Sequence, residues 1–451
     1  MSLIDDRELL SPWERDIPSS WKAPRIDDFC DVFFSNVDKH TIEGELPARL
    51  CNYVDVYKNE KITNKIEFME ASADAYELER FQIRKGDVLL TKDSEEPDDI
   101  AIASLVDEDL PGVICGYHLA MIRPRSRSIN GSFLAWAHKS KPFRAQYEAK
   151  AVGITRFGLS QYAFRSARMP LPMADEQDRI STYLDKQCAA IDKVLEAKRE
   201  QLTVLEELRK SIIHKAVTKG LDDSVEMKDS GIEWIGRVPK HWRIDRLKDV
   251  IPKILGGATP ESAEPDYWLD GEIVWITPSD FSKLKDQRYI SDSERKITQQ
   301  GLASCATQLL PKGAVVMTSR ASIGDAKISA CELCTNQGFV SFVCEHFSNR
   351  FLAYSIDAYL GEFFNVIAPG TTFKEIGRTS VKKEQFAFPD LSEQEKIADY
   401  LDTRCKQLMT LKENIQKQIE TLEKYRISLI HECVTGKRRI TEKDLKELAN
   451  V

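Results

Sequence analysis

Long hydrophobic runs are missing from this 451-residue sequence. No stretch approaches the ~20 apolar residues that a membrane-spanning helix needs. The acidic opening, Met1 to Trp13, lacks the apolar core of a signal peptide. The chain is therefore expected in the cytoplasm, with no membrane partner. Cysteine is sparse, ten residues at irregular spacing, and reads as reduced thiols, not as a disulfide framework. Catalytic signatures are absent. There is no G-x-x-x-x-G-K-[ST], no G-x-G-x-x-G after a strand, no G-x-S-x-G and no H-E-x-x-H. Nor is there an N-P-P-Y or D-P-P-Y, which an amino-methyltransferase usually carries to hold a flipped base. An excess of positive charge is lacking too: 64 Lys and Arg face 72 Asp and Glu, for a net charge of −8. Taken whole, that balance argues weakly against a nucleic-acid partner. What is present is ordinary for a soluble globular chain, 42% hydrophobic and 30% charged, with room for two to four domains.

The sequence repeats itself. Glu176 to Thr218 matches Glu393 to Thr435 without a gap, identical at 17 of 43 positions. Identities include Tyr183/Tyr400, Leu184/Leu401, Asp185/Asp402, Cys188/Cys405 and His214/His431. Weaker echoes surround the match. Trp13, Pro18 and Trp21 recur as Trp234, Pro239 and Trp242, Lys85-Gly86 recurs as Lys312-Gly313, and Gly153-Ile154-Thr155 recurs as Gly370-Thr371-Thr372. The chain is one unit of about 217 residues used twice, each a globular part followed by a long helix.

Both matching segments are free of Gly and Pro, and their apolar residues fall three and four apart. The first runs through Leu184, Cys188, Ile191, Leu195, Leu202, Leu205 and Ile212. The second runs through Leu401, Cys405, Leu408, Ile415, Ile419, Leu422 and Leu429. That is the spacing of a coiled-coil seam, interrupted by Lys198, Arg209, Lys412 and Arg426. An amphipathic helix of about 65 Å must bury its stripe, and its own repeat is the nearest candidate; ordinary bundle helices are the alternative. Gly220 and Gly436 are placed as C-terminal caps, Pro172 and Pro389 precede the helices, and Ser392 is a candidate N-cap.

The globular parts mix short β-like runs, such as Asp87–Leu90, Ile273–Ile276, Ala314–Met317 and Gly338–Phe342, with short helices near Phe133–Tyr147 and Phe351–Phe364. Between Ile122 and Pro172 stand ten basic residues and one acid, Glu148. This local excess fits a phosphate-binding face, or else a solvated basic surface. Cys331, Cys334, Cys344 and His346 make a loosely zinc-like set, but their spacing fits no common module and buried thiols are the simpler reading. His214 and His431 each stand alone near a helix end, where packing or the helix dipole accounts for them.

These residues together resemble the specificity subunit of type I restriction-modification systems, over nearly the whole chain. The repeated E-Q-x-x-I-x-x-Y-L-D is similar to that family's two conserved regions. Asp229 to Trp242 resembles the segment opening its second target-recognition domain. Thr318 to Gly324, Asn336 to Phe339 and Gly370 to Lys374 resemble motifs common in those domains, and Lys92-Asp93-Ser94 with Gly153 to Arg156 resembles variants of them. The first domain keeps T-K-D-S where the second has T-S-R-A, so different half-site sequences are expected.

The resemblance implies an α+β chain with an internal pseudo-twofold repeat. Two mixed α/β target-recognition domains, 1–173 and 222–390, are separated by two long helices, 174–221 and 391–437, that form an antiparallel coiled coil, with a tail at 438–451. Each domain would read half of a bipartite double-stranded DNA site while the helices set the spacing. Modification subunits, two of them, would dock on the helices, and restriction subunits would join. The chain itself would catalyse nothing and hold no cofactor or metal. S-adenosylmethionine, ATP and Mg would belong to the partners, whose assembly would methylate adenine and cut DNA with ATP. DNA-contact candidates are Lys92, Arg123, Arg125, Arg127, Arg144, Arg156, Thr318, Ser319, Arg320, Thr372 and Lys374. Arg320, in a small-residue loop after an expected strand, is the leading one unless it makes a structural salt bridge, and Arg156 is its match. Lys92 and Lys374 suit phosphates. A docking scaffold without DNA readout and a single-chain restriction-modification enzyme are the alternatives.

Overall fold

The computed structural model describes residue 14 and residues 17–37, 41–126, 128–284, 287–370 and 374–448. Trp13, one member of the Trp-Pro-Trp echo, and Arg127 and Thr372, two of the DNA-contact candidates, lie outside them.

The chain divides into two compact units, one of Met1–Lys198 with Gln416–Val451, the other of Arg199–Ile415. Both boundaries fall inside the long helices. Each unit therefore takes one globular part and half of each helix, a division that the linear order of the sequence does not suggest.

In the first unit the strands of the two larger sheets are β1 (Cys30–Phe34), β2 (Leu46–Cys51), β3 (Lys61–Ile62), β4 (Met69–Ala73), β5 (Val88–Thr91), β6 (Ala103–Val106), β7 (Val113–Cys115) and β8 (Leu119–Pro124). Five form a sheet in the order β1-β8-β5-β6-β3, antiparallel except at β3. Three form a second sheet, β4-β2-β7, in which β2 and β7 run parallel. Every residue of β5 and β6 is buried, as their apolar runs require of central strands covered on both faces. The domain also carries helices α1 (Tyr53–Lys58), α2 (Gly131–His138) and α3 (Lys141–Glu148), among others.

The first long helix, α4, spans Ala174–Lys219. The second unit then repeats the first with other residues. Its strands are β9 (Lys253–Gly256), β10 (Ile273–Ile276), β11 (Tyr289–Ile290), β12 (Lys296–Ile297), β13 (Val315–Thr318), β14 (Ala326–Ser329), β15 (Cys334–Thr335) and β16 (Phe339–Val343). The five-stranded order is β9-β16-β13-β14-β11, again with a parallel last strand, and the three-stranded order is β12-β10-β15, again with one parallel pair. Helices α5 (Pro278–Lys283), α6 (Asn349–Ser355) and α7 (Gly361–Ile367) lead to the second long helix, α8 (Leu391–Val434).

Both long helices end on a glycine in the left-handed region, Gly220 at φ 75° and Gly436 at φ 73°. At the start of α8 the cap is Asp390, whose Oδ1 accepts the Glu393 amide at 2.9 Å. Ser392, the candidate read from sequence, already lies in the first turn, because the helix opens at Leu391.

Within each unit the two helix halves run antiparallel. In the first, Arg426 of α8 grips Asp192 of α4, and Lys198 of α4 reaches Gln418 of α8, so positions rise along one helix as they fall along the other. Of the seam, Leu184, Ile191, Leu195, Ile419 and Leu429 are buried there, with Leu422 half-buried. In the second unit Leu401 and Ile415 are buried and Leu202, Leu205, Ile212 and Leu408 half-buried. Here Ile213, Ala216 and Val217 of α4 and Ile397 and Leu401 of α8 share one core with Phe351, Leu352, Tyr359 and Phe386 of the domain. At about 25 cal/mol per Å² of apolar surface, this shared burial, more than helix propensity, holds the helix ends.

The helix starts are fixed alike. Trp21 Nε1 donates to Glu176 Oε2 at 3.0 Å, and Trp242 Nε1 donates to Glu393 Oε1 at 3.2 Å. Gln177 and Gln394, each the next residue, point their amides back at the carbonyls of Pro172 and Pro389. The repeated Glu-Gln pair thus docks each helix start on its own domain.

Candidate nucleic-acid interface

In each domain four backbone segments converge, held by the same hydrogen bonds. The first is the turn from β2 into α1, where the Asn52 amide donates to Asp55 at 2.7 Å; its counterpart is Thr277 donating to Asp280 at 2.8 Å. The second is the strand exit after β5 or β13. Thr91 Oγ1 accepts the Ile102 amide and Thr318 Oγ1 the Asp325 amide, each at 3.0 Å. Third is the turn after β7 or β15, anchored by Gly116 N to Cys51 O and by Asn336 N to Ile276 O. Fourth is the segment that follows a glycine, Gly153–Gly158 in the first domain and Lys374–Ile376 in the second. It is drawn in by Leu159 N to Lys92 O and by Ile376 N to Ser319 O, while Lys92 N and Ser319 N reach His118 O and Gly338 O. Each strand exit returns through an alanine at φ 58°, Ala101 or Ala321, a conformation rare for residues with a Cβ.

The same frame carries different side chains. In the first domain the Lys92 ammonium lies 4.9 Å from the Phe34 ring and 4.3 Å from the Tyr117 ring, and burial lowers its pKa. Asp93 receives Arg156 at 2.7 Å and His118 Nδ1 at 2.8 Å. Tyr53 stacks on Tyr57 at 5.5 Å, and the Tyr57 hydroxyl donates to Asp99. The second domain has polar pairs here. Arg320 pairs with Glu375 at 2.9 Å, and Thr259 donates to Gln337 at 2.5 Å. Lys374 Nζ donates to the Asn365 carbonyl at 3.2 Å. Gly257 passes so close to Thr335 and Asn336 that a Cβ would meet their carbonyls at 2.2 and 2.1 Å, which keeps side chains out of that corner.

Lys92, Arg156, Arg320 and Lys374 are thus brought to the two frames. Of the remaining described candidates, Arg123, Arg125 and Arg144 lie elsewhere, while Thr318 and Ser319 belong to the frame's backbone. Arg123 is a scaffold group: its guanidinium holds buried Asp87 through two bonds of 2.8 and 2.7 Å and also reaches the Gln82 carbonyl. Arg125 pairs with Asp31 and donates to the Asp27 carbonyl. Arg144 bonds the Asp98 carbonyl and faces Glu148, beside the Glu60 and Lys139 cluster. Thr318 and Ser319 are buried, so their part is to shape the loop, not to touch a ligand. The basic window of 122–172 does not act as one cationic face either. Arg123, Arg125, Lys139, Arg165 and Arg168 each face a carboxylate supplied from elsewhere in the chain. Sequence reading missed Tyr117, His118 and Glu375, and took Gln337 only as part of the Asn336–Phe339 motif. A signal was there: Gly116-Tyr117-His118 is the counterpart of Asn336-Gln337-Gly338, a stretch singled out in one domain alone.

The zinc-like set comes apart. Cys331 points at the Ser291 carbonyl and Cys334 at the Val274 carbonyl, and burial pushes the thiols of Cys334 and Cys344 up to about 12. Among the described residues no cluster of three His, Cys, Asp or Glu could hold a metal ion. His431 meets Ser140 Oγ at 3.0 Å, and His214 lies edge-on to Tyr359, so both pack against their domains.

Residues 18–204 and 239–421 each match the type I restriction modification DNA specificity domain. The chain belongs to that family and carries its domain twice. It is a DNA specificity subunit of a type I restriction-modification system, a recognition chain and not a catalyst. It is 36% identical over 197 residues to the MjaIX specificity subunit of Methanocaldococcus jannaschii, a match spanning 43% of this chain and 44% of that relative. To the putative MjaX specificity subunit of the same organism it is 20% identical over 430 residues, spanning 94% and 95%. The fold is that of the HsdS subunit of Thermoanaerobacter tengcongensis, with TM-score 0.59, 20% identity and coverage of 94% and 98%. It is also that of a chain solved in a study of assembly and conformational transition of the type I R-M system, with TM-score 0.74, 19% identity and coverage of 93% and 98%.

Proposed function

We propose that each globular domain reads one half of a bipartite duplex through its four-segment frame, and that the long helices set the distance between half-sites. The observation that carries this reading is the frame itself. One backbone scaffold occurs twice with different side chains, which suits one mode of docking and two sequences. Lys92 and Lys374 contact phosphates, which fix register, while side chains on the converging loops meet base edges in the major groove. Two modification subunits dock along the helices, where Val204, Leu208, Met409 and Leu411 are exposed apolar residues, and restriction subunits complete the assembly. S-adenosylmethionine, ATP and Mg act in those partners. The site of action is the cytoplasm; among the described residues no helix is long and apolar enough to cross a membrane.

Helix length is the test. Matched seven-residue insertions between Glu196 and Arg209 of α4 and between Leu408 and Leu422 of α8 lengthen the pair by ~10 Å, one heptad at 1.5 Å per residue. That is about three base pairs of duplex, at ~34–36 Å per turn. The preferred spacer is expected to grow by about that amount with both half-sites unchanged. An unchanged spacer would show that the helices do not measure it.

A further inference from the structure

The pairs Asp93–Arg156 and Glu375–Arg320 occupy the same place in their two domains with opposite polarity. Asp93 stands across from Gly158 in a two-residue antiparallel pairing, and Arg320 stands across from Glu375 in the equivalent bridge. In the first domain the strand exit supplies the carboxylate and the glycine-led loop the guanidinium. In the second, the strand exit supplies the guanidinium and the loop side the carboxylate. We propose that these two pairs select bases, each presenting its guanidinium to a guanine in its own half-site, from opposite loops of the same frame. This rests on the DNA-reading function proposed above and names the residues that carry its specificity.

Five points support the assignment. Both guanidiniums are open, the side chains being 57% exposed at Arg156 and 43% at Arg320. A half-exposed ion pair adds little to stability, so fold maintenance gives scant reason for having one at this position in both domains. Each pair also employs Nη2 of its arginine. Each Nη2 nitrogen bears two N–H groups, so a bidentate edge of the planar guanidinium is left to match the O6 and N7 acceptors of guanine, and the carboxylate on the other N–H fixes the fork before DNA arrives, which reduces the ordering cost of binding. Lastly, the carboxylates are themselves held. Asp93 also meets His118 Nδ1 at 2.8 Å, and Glu375 is fixed by its place in the bridge. Arg320 is followed directly by Ala321 at φ 58°, strain of a kind that persists where a loop must leave in one particular direction. Arg156 and Arg320 are therefore the selecting residues, and Asp93 and Glu375 are positioning residues.

The polarity difference makes the proposal testable with the full chain assembled with its modification subunits. The probe is a randomised duplex library, from which bound and modified sequences are read. R156K and R320K keep the charge and the ion pair but lose the fork. R156K is expected to lower preference for guanine at one position of one half-site by roughly 10- to 100-fold, the range of a bidentate base contact. The other half-site should be untouched. R320K should do the same to the other half. D93N should broaden preference at the Arg156 position, and D93E should restore it, which a merely structural aspartate would not do. A motif unchanged in both lysine variants, a loss that is uniform over all sequences, or one variant altering both halves would each overturn the proposal. A wild-type complex showing no sequence preference would instead overturn the DNA-reading function beneath it.

Discussion

Arg426 tests whether the C-terminal helix belongs structurally to the first domain, although more than 200 residues separate them in sequence. Its guanidinium holds Asp192 of α4 at 2.8 and 3.1 Å and Glu60 of the domain at 2.6 Å, and Glu60 also receives Lys139 at 2.8 Å. The arginine side chain is only 16% exposed. Burial opposes the charge on Glu60, but Lys139 and Arg426 outweigh it and hold its pKa below the usual glutamate value. A pair at ~4 Å is worth about 4 kcal/mol of gross attraction at an effective dielectric of ~20. Both carboxylates are nearly half exposed and Lys139 stays on Glu60, so Arg426→Ala should cost about 1–2 kcal/mol net. That corresponds to a roughly 5- to 30-fold rise in local opening. Hydrogen exchange reads it segment by segment. Amides of 174–198 and 416–434 should exchange faster, while 199–219 and 391–415 keep their protection. Equal loosening of all four segments, or of none, would refute the assignment of helix halves to units.

Two further perturbations probe the scaffold. His138 is buried, donating Nδ1–H to the Leu134 carbonyl at 2.7 Å and accepting the Tyr147 hydroxyl at Nε2 at 2.9 Å, so burial lowers its pKa from 6.5 to about 4. The unfolded chain takes up this proton first, so stability should fall as pH drops from 6.5 towards 4, by about 3 kcal/mol from this group. Urea unfolding of wild type and H138Q across that window should diverge in slope; parallel slopes would show the histidine does not titrate this way. At the helix ends, a Cβ on Gly436 would come within 2.5 Å of Pro18, whereas one on Gly220 would meet Glu393 at 3.3 Å. Both alanine variants bear ~1–2 kcal/mol of left-handed strain, so G436A should lower the thermal midpoint more than G220A; the reverse order would contradict the packing.

The helices were the most legible part of the sequence. A gapless Gly- and Pro-free repeat at heptad spacing has few other solutions, and the Glu-Gln pair that docks each helix start stands in both copies. The seam was less clear. Leu202, Leu205, Leu408 and Leu422, near the middle of each helix, are only half-buried, which spacing alone does not distinguish from full burial. The site was legible in part. Arg156 and Arg320 sit beside glycine- and small-residue loops, so their exposure could be read locally. Arg123 and Arg125 could not be sorted from them, because their partners Asp87 and Asp31 lie 36 and 94 residues away. The equivalence of Asp93 with Arg320 was legible in the match of T-K-D-S with T-S-R-A, but the pairing of that position with the glycine-led segment was hidden for the same reason. It is set by backbone bonds to His118 and Leu159 in one domain and to Gly338 and Ile376 in the other, and those pairings come from the sheet order, not from local pattern.

The central claim is that two domains read two separate half-sites. It is tested most directly by sequencing the bases modified by the assembled complex in a randomised duplex library. Two short sequence blocks separated by a spacer of constant length and indifferent sequence are expected. A single continuous motif, or two blocks at variable separation, would contradict it.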